Sequence, residues 1–282
     1  MEWVVGFIIL WLLSLFDRSG TTTKDSNPNY KTENTETLKA SQESLNKLLE
    51  KLEEIKEQAK AKEAINANEK KLTPEQQEIK GFVDERNIIR LIHFTRYENL
   101  ESILTNGLIT RDGLNGFNHT VYVNDSLRLD GHTNSISLSL SFPNHRMFYK
   151  YRMGSEAQGW VVLAISPEVL WDYECAFCKH NAADSRISNR EIYDLSGINS
   201  FREMFSDDIE GSDTRSKQKL ENFDATDPQA EILVFENIPT KYILAVGFEN
   251  QKLLLQVNNQ QDSSHIKFVM AEKYFNERGY VR

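Results

Sequence analysis

Glu231 stands directly before the run Ile232-Leu233-Val234-Phe235, in the segment "PQAEILVFENIP". The run is short, rich in strand formers and closed by Pro239, so it reads as a buried strand with an acid at its mouth. Acids are common at strand ends, where solvent is near; whether this one does more depends on what else the chain supplies. His93 lies in the apolar run "LIHFT", where an imidazole is either a hydrogen-bonded core group or a catalytic one. In "NSISLSLSF", Ser135, Ser137, Ser139 and Ser141 alternate with Ile136, Leu138 and Leu140. That face is either a solvated strand surface or a hydroxyl wall for a polar ligand such as a ribose. Arg128, in "NDSLRLDGH", is either an exposed loop residue or a guanidinium placed to fork onto a pyrophosphate. In "NHRMFYKYR", Arg146, Lys150 and Arg152 interleave with Phe148, Tyr149 and Tyr151. Cations beside flat rings suit single-stranded nucleic acid, although the rings are equally suited to a core.

The two cysteines, Cys175 and Cys178, form one C-x-x-C near His180. Four zinc ligands are not in sight and the setting is not that of a redox helix, so both are expected to pack and no metal is expected. The chain carries no Walker loop, no G-x-G-x-x-G and no H-E-x-x-H. Its formal net charge of -9 excludes a broad basic surface, so nucleic-acid contact must come from a local patch.

These residues need elements to hold them. "IIRLIHFT", "NSISLSLSF", "WVVLAIS", "EILVFENI" and "YILAVGF" read as strands. "YENLESILTNGL" reads as a short helix closed by Asn106-Gly107. Residues 184–230 are polar and turn-rich, a long excursion expected to be functional or disordered. The class is α+β: a mixed or split β-sheet over residues 81–282, with few helices and one long loop.

Before residue 81 the composition changes. Residues 1–16, with no charge between Trp3 and Phe16, are expected to be an uncleaved hydrophobic anchor, with a cleaved signal and a partner-docked segment as the alternatives. Residues 17–36 are a polar linker. Over residues 37–80, Leu38, Leu45, Leu48, Leu52 and Ile55 fall at helical spacing. This gives a helical spacer or, through residues 37–62, an oligomerising coiled coil. Thr73-Pro74 then starts a fresh helix.

Taken in order, H-F-T-x(3)-N-L-x(2)-I-L-x(2)-G from His93, the loop arginine, "FPNHRMFY" and "QAEILV" resemble the DarT family over roughly residues 88–250. These are ADP-ribosyltransferase toxins that modify nucleic-acid bases using NAD. The resemblance implies an ADP-ribosyltransferase-like split sheet, with NAD as co-substrate and no metal. It places His93 and Thr95 at the nicotinamide amide and its ribose, with Phe94, Ser102 and Thr110 as further NAD contacts. Arg128 would bind NAD phosphate and share in catalysis, and Glu231 would be the catalytic glutamate. Residues 185–231 would present the acceptor base. Ser137 and Ser139 are similar to the seryl strands that line NAD in other ADP-ribosyltransferases, whereas the family typically has a Tyr-Val-Pro-Phe-Tyr-Phe strand there. Pro143-Asn144-His145-Arg146-Met147 likewise replaces its Pro-Arg-x-Pro-Met. The expected activity is transfer of ADP-ribose to a base in single-stranded DNA, with Arg146, Tyr149, Lys150 and Arg152 contacting the strand. RNA or protein acceptors, and a noncatalytic nucleotide sensor on a membrane stalk, are the alternatives. A macrodomain antitoxin is the partner the family implies. Because NAD is cytosolic, the catalytic domain is expected in the cytoplasm, tethered through residues 3–16.

Overall fold

The computed structural model describes residues 47, 50, 51, 53, 54, 57, 71–116, 121–122, 131–154, 157–258 and 265–280. The chain divides into two units, Met1–Lys71 and Leu72–Arg282. Of the first, Lys47, Glu50, Lys51, Glu53, Glu54, Glu57 and Lys71 are described; all are exposed, and all but Lys71 are helical. The anchor expected over residues 1–16, the linker and the rest of the spacer up to residue 70 lie outside the described residues, while residues 72–80 of the expected spacer fall in the second unit. No helix among the described residues is long and apolar enough to cross a membrane.

The second unit opens as its sequence expects. Thr73 caps helix α1 (Pro74–Arg86) with a capping box: its hydroxyl accepts from the Gln76 amide, and the Gln76 side chain accepts from the Thr73 amide. Ile79, Phe82 and Val83 of α1 are buried. The strands are β1 (Leu91–Arg96), β2 (Ile136–Leu140), β3 (Trp160–Ile165), β4 (Cys175–Cys178), β5 (Glu231–Val234), β6 (Ile243–Phe248) and β7 (Lys267–Met270). They form one seven-stranded sheet in the order β4-β5-β2-β1-β3-β6-β7. Every neighbouring pair is antiparallel except β6 and β7.

The alternation of the strands sends Leu91, Leu138, Leu163, Phe177, Ile232 and Val246 to one large core with α1. On the opposite alternation, Ile92 and Val162 join Phe148 and Trp160, while Ala176, Cys178 and Leu233 make a smaller cluster. Helix α2 (Leu100–Asn106) ends at Gly107, as the Asn-Gly pair predicts. There φ is +80°, and a Cβ would fall 2.3 Å from the carbonyl oxygen of Ile238, so only glycine fits. Helix α3 (His145–Gly154) follows β2 and buries Phe148.

The excursion over 184–230, expected to be functional or disordered, is folded. It holds three short helices, α4 (Ser185–Ser188), α5 (Ile192–Leu195) and α6 (Gly197–Glu203), followed by a turn-rich return. The return is tied down by buried Asp224, whose carboxylate accepts from Ser141 Oγ at 2.7 Å and from the Glu221 amide at 3.0 Å. Each helix offers only one or two apolar anchors, such as Ile187, Leu195 and Phe201. A period of 3.6 cannot be read over so few residues. "ECAFC" also proves to be an edge strand, with Cys175 and Cys178 both buried and neither in a disulfide.

Candidate active site

The sheet opens at its centre. β2 pairs with β5 through Ile136, Ser137 and Leu138, then with β1 only through Ser139 and Leu140. Beyond Ile92 the β1–β2 ladder stops, and His93 fills the opening: its Nδ1 lies 3.0 Å from the carbonyl oxygen of Ser137. A carbonyl only accepts, so the proton belongs on Nδ1 and, in the neutral ring, the lone pair on Nε2.

Glu231 is the first residue of β5 and is 4% exposed. Its Oε2 accepts from the Ala182 amide at 2.9 Å, so a backbone donor in the turn after β4 fixes the carboxylate. His93 and Glu231 line the same cleft, a space of about 550 Å³ that also takes in Phe94, Thr95, Ser102, Ser137 and Ser139. This is ample for a ligand of nucleotide size. The serine face is therefore a cleft wall and not a solvated strand surface. Ser139 is buried, and its hydroxyl accepts from the Asn144 amide at 3.2 Å. Phe94 stacks on Phe148 with centroids 4.5 Å apart, which stiffens the floor beside His93.

Other expected residues lie elsewhere. Thr110 does not line the cleft; its amide donates to Asn237 Oδ1 and its hydroxyl accepts from the Gly113 amide. Arg128 lies outside the described residues. On α3, Arg146 and Lys150 are exposed and Tyr149 is 54% exposed. Arg152 is turned inward: it donates to the Phe275 carbonyl at 2.7 Å, pairs with Glu249 and sits over the rings of Phe148 and Phe275. Its charge holds the C-terminal turn to the helix. Met147 and Tyr151, from the same helix, face the cleft instead.

Three cleft residues escape the sequence reading. Buried Asn99 donates from Nδ2 to Thr95 Oγ1 (3.0 Å) and to the Tyr122 carbonyl (2.8 Å), and its Oδ1 accepts from the Tyr122 amide (2.9 Å). It thereby pins a second segment against β1, and its place in the N-L pair of the His93 motif was the signal. Arg111 and Asn181 also line the cleft; each sits in a short irregular stretch beside other polar residues, which leaves nothing periodic to read. Among the described residues, no group of three His, Cys, Asp or Glu could hold a metal.

A split sheet with an imidazole in the gap, a backbone-held carboxylate and seryl residues on the same cleft can hold a polar ligand and offer it an acid. The chain belongs to the DarT family: residues 92–275 match the family described as "ssDNA thymidine ADP-ribosyltransferase, DarT". Among solved structures it is similar to Thermosipho africanus DarTG in complex with ADP-ribose, at 16% identity and a TM-score of 0.48, over 66% of this chain and 51% of that one. It thus spans about half of the DarTG chain. It is also similar to Thermus sp. 2.9 DarT in complex with NAD+, at 15% identity and a TM-score of 0.44, over 67% of this chain and 98% of that one. The same protein in complex with ADP-ribosylated ssDNA gives 14% identity and a TM-score of 0.44, over 67% and 97%. No curated protein matches the sequence.

Proposed function

We propose that this chain transfers ADP-ribose from NAD to a thymine base in single-stranded DNA. The observation that carries it is the placement of His93 and Glu231 on one cleft at the split of the sheet. The residues present suit a dinucleotide: Ser137, Ser139, Arg111 and His93 all line the same space. NAD supplies an N-glycosidic bond whose cleavage leaves positive charge on the ribose. Glu231, fixed by the Ala182 amide, offers its carboxylate to that charge and to a ribose hydroxyl. The same carboxylate takes the proton of the incoming base nitrogen, which in thymidine is the single ring N–H. His93 orients the nicotinamide side through Nε2, with its ring held by Ser137. Exposed Arg146, Lys150 and Tyr149 form the flank along which the strand lies.

The test incubates the full chain with labelled NAD and single-stranded oligonucleotides that contain or lack thymine, with RNA and protein as further acceptors. Label on thymine-containing DNA alone is expected. Label only on RNA or protein would move the acceptor, and binding of NAD without turnover would make the protein a nucleotide sensor.

Residues 3–16 tether the catalytic domain at the cytoplasmic face of a membrane, residues 37–62 self-associate, and a macrodomain partner removes the modification. Fractionation of the full chain against one lacking residues 1–16, and the mass of each in solution, test the first two.

A further inference from the structure

The excursion that leaves the sheet after β4 and returns before β5 is closed at its neck by one buried pair. His180, 2% exposed, has its Nδ1 2.6 Å from Oδ2 of Asp227, itself buried. Asp227 is bonded into the turn it belongs to, and His180 leads by one residue into the turn at Asn181–Ala183. On the return side, Asp227 Oδ1 accepts from the Gln229 amide at 2.8 Å and its carbonyl accepts from the Ala230 amide at 3.1 Å, shaping the turn that runs directly into Glu231. On the outgoing side, Asn181 Oδ1 accepts from the Ala183 amide at 3.0 Å, and the Ala182 amide between them donates to Glu231 Oε2. The two turns are adjacent because Cys178 and Glu231 are register partners across β4 and β5.

We propose that His180 and Asp227 are positioning residues that lock these two turns together and so set the Ala182 amide against the catalytic carboxylate. The inference rests on the reading of Glu231 as the group that stabilises charge on the ribose. His180 does not reach Glu231 directly; its effect passes through the turn it anchors. Ladder pairing alone fixes the Glu231 main chain but leaves its side chain free to choose among rotamers, and the Ala182 amide selects one. Asn181 and Ala183 line the cleft from the same turn, so releasing the pair also loosens the wall beside the acid.

The test uses the geometry of two amides in the full chain, assayed with NAD and thymine-containing single-stranded DNA. In His180→Asn the amide nitrogen falls where Nδ1 was, within reach of Asp227. In His180→Gln it falls where Nε2 was, past it. Both are uncharged side chains of similar volume, so folding separates them little. His180→Gln is expected to bind NAD with its KM within about twofold of wild type while kcat falls on the order of 10²-fold, as misplacement of a reacting group near 1 Å costs. His180→Asn is expected to recover most of that loss at the same melting temperature. Equal kcat for the two variants would overturn the proposal, as would a loss confined to KM or a kcat of His180→Gln at the wild-type level. A wild-type chain that turns over neither NAD nor DNA would remove the functional reading and the latch with it, whereas an active wild type beside an equally active His180→Gln would remove the latch alone.

Discussion

His93 Nδ1 reaches the carbonyl oxygen of Ser137 at 3.0 Å across the gap where β1 and β2 part. The side chain thus substitutes for the ladder that has stopped, and it does so in one tautomer, with Nε2 as the acceptor. His93→Ala should leave the strands unbridged and remove the acceptor from the nicotinamide end. With one or two hydrogen bonds of about 1 kcal/mol lost, the KM for NAD is expected to rise about tenfold. That loss appears in the NAD Kd, which titration calorimetry of NAD against the full chain measures and which KM follows where chemistry is slower than NAD release; unchanged affinity would separate His93 from the ligand.

Glu231→Gln tests the acid without disturbing its support. A glutamine oxygen still accepts from the Ala182 amide, so the fold and NAD affinity should hold. The negative charge is gone, and turnover should fall by on the order of 10²–10⁴. Single-turnover transfer of label from NAD gives the rate. A glutamine variant at wild-type speed would exclude the carboxylate from the chemistry.

The strands carrying the site were legible because their apolar runs are continuous or strictly alternating, as in Trp160–Ile165 and Ile136–Leu140. His93 and Glu231 were legible because each is polar in an apolar context. What failed to show was whatever depends on partners distant in sequence. The inward turn of Arg152 is set by Glu249 and Phe275, and the exclusion of Thr110 from the cleft by Asn237. Neither leaves a local trace, and a basic residue among aromatics looks alike whether it serves DNA or a C-terminal turn. The helices between Ser185 and Glu203 were hidden for a different reason: their burial is by single anchors rather than by a face.

Gly107→Ala asks for a side chain where α2 turns against the segment at Ile238. The added Cβ would sit 2.3 Å from the Ile238 oxygen at a φ of +80°. Since Leu108 and Ile238 exchange two main-chain bonds there, of 2.9 and 2.8 Å, the backbone cannot yield cheaply. A destabilisation of about 3 kcal/mol follows, or roughly 6–12 °C in Tm for a domain of this size. Scanning calorimetry would show it, and a loss under about 1 kcal/mol would mean the turn has slack.

The exposed cations of α3 make a separable prediction about DNA. If Arg146 and Lys150 each meet a phosphate, the double alanine variant should flatten the dependence of log affinity on log salt by about 1.4, at roughly 0.7 per contact on a single strand. Arg152→Ala should leave that slope alone and lower Tm instead, because its guanidinium is already committed to Phe275 and Glu249. Fluorescence anisotropy of a labelled oligonucleotide at several salt concentrations distinguishes them. A slope that moves with Arg152 would return that residue to the DNA surface.

Cys175 supplies a dependence on alkaline pH. Burial, and then the negative charge of Glu174, push its thiol from 9.0 up to about 12. Its Sγ lies 3.7 Å from the Val169 carbonyl, an arrangement only the protonated form can use. Between those two values the native chain keeps a proton that the unfolded chain has lost. Stability is therefore fully present below pH 9 and is lost as pH rises toward 12, at up to about 1.4 kcal/mol per unit. Tyr242 is also raised, first by burial and then by Asp172, so it adds to the same decline. The informative quantity is consequently the difference between wild type and Cys175→Ala. The alanine variant should begin about 1 kcal/mol less stable at neutral pH, from the lost sulfur packing. It should then decline more slowly, so that the two curves converge as pH passes 9. Urea midpoints from pH 7 to 11 measure the gap, and a gap that stays constant would mean that the Cys175 thiol ionises as readily in the native sheet as in the open chain.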